Sequence, residues 1–106
     1  MNIRGLGADQ KYLAVKNLFH SIQPRIILIQ ETMHGVPESI IYFRRMFPFW
    51  HIVATEANGQ SGGLVVPWDP GWIRARAFSC FAGILLLANF RGYARSFHIL
   101  NIYAPY

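Results

Sequence analysis

A change of pattern near residue 49 constrains the fold of this 106-residue chain more than any other feature of the sequence. Before that point, apolar residues recur at helical spacing in two segments that each stop at a proline, Pro24 and Pro48. Between these segments, residues 26–29 form an unbroken apolar run that is typical of a strand covered on both faces. After it, segments rich in β-branched and aromatic residues alternate with glycine or proline. This order predicts a layered α/β architecture with a mixed sheet.

The pattern predicts the individual elements as follows. Helices are expected over 9–22 and 37–47, and strands over 26–29, 50–55, 62–68, 72–81, 84–90 and 97–103. In the last strand, alternation places Asn101 and Tyr103 on one face and His98, Leu100 and Ile102 on the other. Because the sequence has no repeats or linker-like stretches, we expect a single unit over residues 1–106.

Composition narrows the class of protein. Apolar residues make up 53% and charged residues 14% of the chain, against about 25% charged in a typical domain, so intrinsic disorder is excluded. The most apolar stretch, 82–90, falls short of the roughly 20 residues that a membrane span needs, and the first residues do not resemble a secretory signal. The single cysteine, Cys80, excludes an internal disulfide and favours an intracellular setting.

The charge balance permits binding to nucleic acid. Ten Lys and Arg against five Asp and Glu give a net charge of +5, and most of the cations are arginines, which suit bidentate contact with phosphate. The alternative explanation is that an apolar chain needs net charge to stay in solution.

Glu31 is the most informative candidate for chemistry. It directly follows the apolar run 26–29, and ligands of α/β sheets gather beyond the carboxyl ends of strands. A carboxylate in that position suits a hard cation such as Mg²⁺, although a solvated glutamate at a strand end is the alternative. The four histidines show no metal-ligand spacing, and Gly5-Leu6-Gly7 lacks the third glycine of a dinucleotide-binding loop.

Four short motifs occur in a fixed order along the chain. They are Asn2-Ile3-Arg4-Gly5-Leu6, Gln30-Glu31-Thr32, Ser61-Gly62-Gly63-Leu64 and Asn101-Ile102-Tyr103-Ala104-Pro105. This ordered set resembles the endonuclease/exonuclease/phosphatase superfamily. It is most similar to the N-terminal half of the endonuclease domain of plant LINE-type (non-LTR) retrotransposon proteins, a similarity that extends to Pro24 and to Trp68-Asp69-Pro70.

The resemblance implies a mechanism and a fold. Relatives hydrolyse a DNA phosphodiester with Mg²⁺ (or Mn²⁺), which implies that Glu31 and Asn2 hold the metal and that Tyr103 contacts the scissile phosphate. The implied fold is half of a four-layer α/β/β/α sandwich, a mixed sheet with helices on one face. A DNA substrate implies a nuclear location.

The resemblance also indicates what this chain lacks. Relatives carry a Gly-Asp-Phe-Asn-like motif and a final Ser-Asp-His, which supply the water-activating aspartate and the catalytic histidine, and neither motif has a match in these 106 residues. Met33 and Tyr106 depart from the family pattern. We therefore expect a partial domain, with its first strand clipped and its C-terminal half absent, that is derived from a retroelement and has little or no activity alone.

Two other functions remain open. The chain could be a non-catalytic basic nucleic-acid-binding module, supported by Arg74 and Arg76 on one strand face and by Arg44-Arg45 on a helix. It could also be a member of the same superfamily that acts on a phosphomonoester such as a phosphoinositide. Half a sandwich also predicts one sheet face open to water and self-association through it. The residues expected on that face are Leu64, Val66, Leu86 and Leu100.

Overall fold

The computed structural model describes residues 8–30, 41, 43–55, 63–80 and 83–102, with the backbone alone for residues 8–12 and 80. It has a compact α/β fold with two small antiparallel sheets. The elements in chain order are α1 (Ala8–Ile22), β1 (Ile29–Gln30), β2 (His51–Thr55), β3 (Leu64–Trp68), β4 (Ile73–Cys80), β5 (Gly83–Phe90) and β6 (Ser96–Ile102). Residues 41 and 43–46 are also helical, within the second predicted helix.

Helix α1 ends where the sequence predicts. Gln23 takes a left-handed conformation with φ of 53°, and its N–H donates to the Phe19 carbonyl oxygen at 2.8 Å. This is the αL cap that closes many helices, and the following Pro24 prevents the helix from continuing.

The strands form two sheets rather than the single mixed sheet that the sequence predicts. The order is β1-β3-β2 in the first sheet and β4-β5-β6 in the second, and every pairing among the described residues is antiparallel. The connections β4–β5 and β5–β6 are too short for the crossover that parallel neighbours need, so these strands pair as hairpins.

The first sheet is covered on both faces, as predicted for the run 26–29. On one side it packs against α1 and the second helical segment, in a cluster of Val15, Ile27, Ile29, Phe43, Phe47 and Val65. On the other side it packs against the second sheet, in a cluster of Leu64, Val66, Trp68, Ile73, Ile84, Leu86 and Ala88. Ile27 and Ile29 face the helices, whereas Ile26 and Leu28 pack against the inter-sheet cluster. The described layers are therefore helix, sheet and sheet.

The sheet face that is open to water differs from the predicted one. Leu64, Val66 and Leu86 are buried between the sheets, and of the four residues expected on an open face only Leu100 is exposed. The pairing Leu85↔Leu100 explains this, because residues directly opposite each other share a face and Leu86 lies on the other. The open surface is thus the outer face of the second sheet, where Phe78, Leu85, Leu100 and Ile102 line a shallow groove.

Among the described residues, no helix is long and apolar enough to cross a membrane.

Candidate functional site

The carboxyl ends of β1 and β6 are joined by side-chain amides, although the two strands belong to different sheets. The Gln30 Nε2 donates to the Asn101 Oδ1 at 3.1 Å and to the Ile102 carbonyl oxygen at 3.0 Å. The Asn101 Nδ2 donates to the Ile29 carbonyl oxygen at 3.2 Å. We call these four residues the amide bridge. It fixes the end of one sheet against the end of the other at a polar point.

Asn101 is the buried member of this bridge. It is 2% exposed, while Leu100 and Ile102 on either side of it are exposed. The prediction that Asn101 faces away from His98, Leu100 and Ile102 is therefore confirmed. A buried amide without partners costs free energy, and the bridge satisfies both its oxygen and its nitrogen.

Gly83 allows the end of β6 to lie close to β5. It is paired with Ile102, and a Cβ at this position would lie 2.5 Å from the Asn101 carbonyl oxygen and 3.1 Å from the Ile102 Cα. Any side chain would therefore push the two strands apart at the amide bridge. No pattern in the sequence distinguishes this glycine from the others.

The three residues predicted to carry the chemistry, Asn2, Glu31 and Tyr103, lie outside the described residues. Two of them follow members of the amide bridge directly in the sequence, Glu31 after Gln30 and Tyr103 after Ile102. Within the described part of the chain, no group of three or more His, Cys, Asp or Glu side chains could hold a metal ion.

Arg74 and Arg76 share the outer face of the second sheet, in agreement with their predicted placement on one strand face. Both are exposed. Arg74 is paired with Asn89, and Arg76 is paired with Leu87, which is in turn paired with His98 on β6. The Arg76 Cζ also lies 5.8 Å from the centre of the Phe78 ring. The outer face is therefore cationic toward the start of β4 and apolar toward its end.

A second polar cluster, which the sequence analysis did not find, surrounds Trp72. The Arg25 Cζ lies 4.5 Å and the Arg91 Cζ 5.2 Å from the centre of the Trp72 ring. The Arg25 Nη1 also donates to the Asp69 Oδ2 at 3.0 Å. We call Arg25, Asp69, Trp72 and Arg91 the arginine–tryptophan cluster. Its sequence signal is the turn Trp68-Asp69-Pro70-Gly71-Trp72, since the arginines are distant in sequence.

Backbone hydrogen bonds hold this cluster in place. The Asp69 carboxylate accepts from the Gly71 N–H at 2.9 Å, and the Asp69 carbonyl oxygen accepts from Trp72 at 3.1 Å and from Ile73 at 2.9 Å. The Arg91 N–H donates to the Trp72 carbonyl oxygen at 2.8 Å. The side chains are thus presented by a turn whose backbone is well satisfied.

The amide bridge and the arginine–tryptophan cluster lie at opposite ends of the sheets. Gln30 is paired with Leu64 at the start of β3, whereas Ile26 is paired with Trp68 at its end. In the second sheet, Gly83 is paired with Ile102 near the bridge, while the cluster lies beside the start of β4 and the end of β5. They are separate candidate sites.

Comparison with known proteins gives no family assignment. No protein-family model matches this chain, and no curated protein matches it significantly.

Proposed function

We propose that this chain supplies one half of a divalent-metal-dependent phosphodiesterase site that acts on DNA, of the endonuclease/exonuclease/phosphatase type. The observation that carries the proposal is the amide bridge, because it joins the carboxyl ends of the two strands that precede Glu31 and Tyr103. In open α/β sheets, ligands bind beyond such strand ends. The same two strand ends carry two of the four motifs on which the resemblance rests.

The proposed donor set suits the proposed metal. Glu31 would provide a carboxylate oxygen and Asn2 an amide oxygen, which are the hard donors that Mg²⁺ or Mn²⁺ prefers. When bound, the cation would offset the charge that builds on the phosphate oxygens during hydrolysis. Tyr103 would donate its hydroxyl proton in a hydrogen bond to a phosphate oxygen and so orient the scissile group. Gln30 and Asn101 act as positioning residues because they hold the two strand ends together.

The three described layers are compatible with a four-layer α/β/β/α sandwich without its last helical layer. Helices, first sheet and second sheet are stacked in that order, so a further helical layer would cover the outer face of the second sheet. The apolar residues on that face, among them Phe78, Leu100 and Ile102, are of the kind that such a layer would bury. In the chain alone, we propose that this surface mediates self-association.

The sequence has no match to the motifs that supply the water-activating base in the family. A general base must lie within hydrogen-bond reach of the water that it activates, and the aspartate and histidine motifs of the family have no match in this sequence. We therefore propose that the chain is a fragment of retroelement origin with little or no hydrolytic activity alone. A DNA substrate places the proposed function in the nucleus.

Plasmid nicking tests this part of the proposal. We expect the purified chain to leave supercoiled plasmid intact in Mg²⁺ or Mn²⁺, because the motifs that supply the base in the family have no match in the sequence. The half-site would be contradicted by nicking that requires the metal, disappears in Glu31→Ala and persists in a Glu56→Gln control. Such a result would show a complete site.

A non-catalytic nucleic-acid-binding module is the alternative function. Arg74 and Arg76 are exposed on one face, and residues 70–106 contain four arginines and no acidic residue. Such a surface binds phosphates through counterion release, so its affinity falls steeply as salt rises. A salt-dependent affinity for DNA that is the same in EDTA and in Mg²⁺ favours this alternative, and no affinity at low salt excludes it.

A further inference from the structure

We infer that the arginine–tryptophan cluster is a binding site for single-stranded nucleic acid, at the end of the molecule opposite the amide bridge. The site is independent of the proposed phosphodiesterase. Its parts are the exposed ring of Trp72, the two guanidinium groups of Arg25 and Arg91 that lie over that ring, and a groove beside them.

The groove brings an aromatic ring and two guanidinium groups together. It has a volume of about 280 Å³ and is lined by Trp72 and, at the second sheet, by Arg74, Asn89 and Arg91. Both arginines that line it carry guanidinium donors suited to the oxygens of a phosphate. The groove therefore offers an aromatic wall and a cationic wall within the reach of one ligand.

Charge favours an anionic ligand here. Asp69, the only acidic residue from position 69 to the end of the chain, is already paired with Arg25 at 3.0 Å. Arg91 and Arg74 have no such carboxylate partner among the described residues. The excess positive charge thus lies on the side of the groove that faces the second sheet.

The aromatic residues favour unpaired bases over a duplex. Trp72 is 41% exposed, and a base can stack on a guanidinium group that already lies over the indole ring. Tyr93, in the turn after Arg91, is also exposed, and its ring packs edge-on against Phe97 with 6.2 Å between the centroids. Bases can stack on such exposed aromatic and guanidinium surfaces only when they are free of a double helix.

The turn is built before any ligand binds. Hydrogen bonds fix the backbone on both sides of the ring. The N–H groups of Gly71, Trp72 and Ile73 donate to Asp69, and that of Arg91 donates to Trp72. A site that is already ordered loses less conformational entropy on binding.

Fluorescence anisotropy with a labelled oligothymidylate of about twelve nucleotides, within the usual site size of such surfaces, tests the inference on the full chain in EDTA. The EDTA excludes any contribution from the proposed metal site. We expect Trp72→Ala to lower the affinity by about fivefold to a hundredfold, and Trp72→Phe to lower it less, because the phenyl ring still stacks. We expect Arg91→Gln to reduce the slope of log affinity against log salt by about 0.7.

Two control variants match these changes elsewhere on the surface. Phe49→Ala removes an aromatic ring that is 88% exposed, and Arg44→Gln removes an exposed arginine from the second helical segment. We expect both controls to bind the oligonucleotide as the unaltered chain does. Far-ultraviolet circular dichroism shows whether each variant is folded, and Trp72→Phe and Arg91→Gln keep the test valid if Trp72→Ala does not fold.

Tryptophan emission provides a readout that a merely structural role of Trp72 would not change. Oligonucleotide binding should quench the emission of the unaltered chain, and the quenching should be absent in Trp72→Phe. Three results would each overturn the inference: equal losses of affinity in the Phe49 and Arg44 controls, binding of a duplex of the same length as tightly as the single strand, or no binding at low salt. Hydrolysis assays play no part, so failure here is distinct from failure of the phosphodiesterase proposal.

Discussion

Asn101 joins the two sheets through a buried polar side chain. Its buried amide accepts from the Gln30 side chain and donates to the Ile29 carbonyl oxygen. Its backbone neighbours Leu100 and Ile102 are exposed, so the strand turns one polar group inward at its end. A buried side chain with both groups satisfied specifies one arrangement of the strand ends, because any shift leaves polar atoms unpaired.

The first prediction follows from this burial. We expect Asn101→Ala to lower the free energy of unfolding by about 2 kcal/mol or more, because it leaves the Ile29 carbonyl without this partner and creates a cavity. Urea denaturation measures the change. Asn89→Ala is the matched control on β5, where the exposed amide accepts a hydrogen bond from the Ser96 hydroxyl, and there we expect a change within about 0.5 kcal/mol. Equal losses in both variants would show that the bridge adds nothing specific.

At the scale of elements, the alternation of apolar and polar residues predicted most of the strands and the face on which their side chains lie. The five predicted strands after residue 49 are present, and the faces of Asn101 and Leu100 are as expected. The prediction that Leu86 and Leu100 share an open face is wrong, because alternation within a strand does not give the register between strands. The structure pairs Leu100 with Leu85 and Leu86 with Ile99, so the two leucines lie on opposite faces.

Prediction of the candidate sites from the sequence has the same limit, because contacts between strands are not given by sequence order. The positions of Glu31 and Tyr103 at strand ends could be inferred from sequence order, but the hydrogen bonds from Gln30 to β6 could not. They join residues that are far apart in the chain and depend on how the two sheets pack. Likewise, Arg25 and Arg91 meet at Trp72 only because the segment that precedes β1 and the residue that follows β5 both lie beside one turn.

The second prediction concerns the pairing of β5 and β6. We expect Gly83→Ala to destabilise the fold by about 1–3 kcal/mol, because the new methyl group overlaps the Asn101 carbonyl oxygen and forces the strands apart. In this variant, amide hydrogen exchange should become faster at Ile102, and it should change less at the other end of β6. Gly92→Ala serves as the comparison, because a Cβ there meets no atom within 4 Å and its cost is confined to the turn with φ of 87°. Unchanged exchange at Ile102 would contradict this account.

At the scale of the whole molecule, one surface remains apolar although the core is well packed. The inner faces of both sheets are buried against each other, while the outer face of the second sheet presents Phe78, Leu100 and Ile102 to water. A contiguous apolar patch on a sheet face favours association with another surface. The same face is cationic at its other end, where Arg74 and Arg76 lie, so the proposed contact would be confined to the apolar end.

The third prediction tests the proposed self-association. We expect sedimentation velocity to show species larger than a monomer, and Leu100→Lys to shift the distribution toward the monomer because it places a charge in the apolar patch. Leu13→Lys is a closely matched control, since Leu13 on α1 and Leu100 are both 56% exposed. A monomeric unaltered chain, or an equal effect of the two variants, would contradict the proposal.

The most direct test of the central claim is a titration with Mn²⁺ followed by the side-chain amide signals of Gln30 and Asn101 in an NMR spectrum. If Glu31 holds a divalent cation beside the joined ends of β1 and β6, the paramagnetic ion should broaden these two signals before those of residues around Trp72. Glu31→Gln should abolish the effect, and Glu56→Gln should leave it intact. Broadening centred elsewhere, or broadening that persists in Glu31→Gln, would contradict a metal site at this end of the molecule.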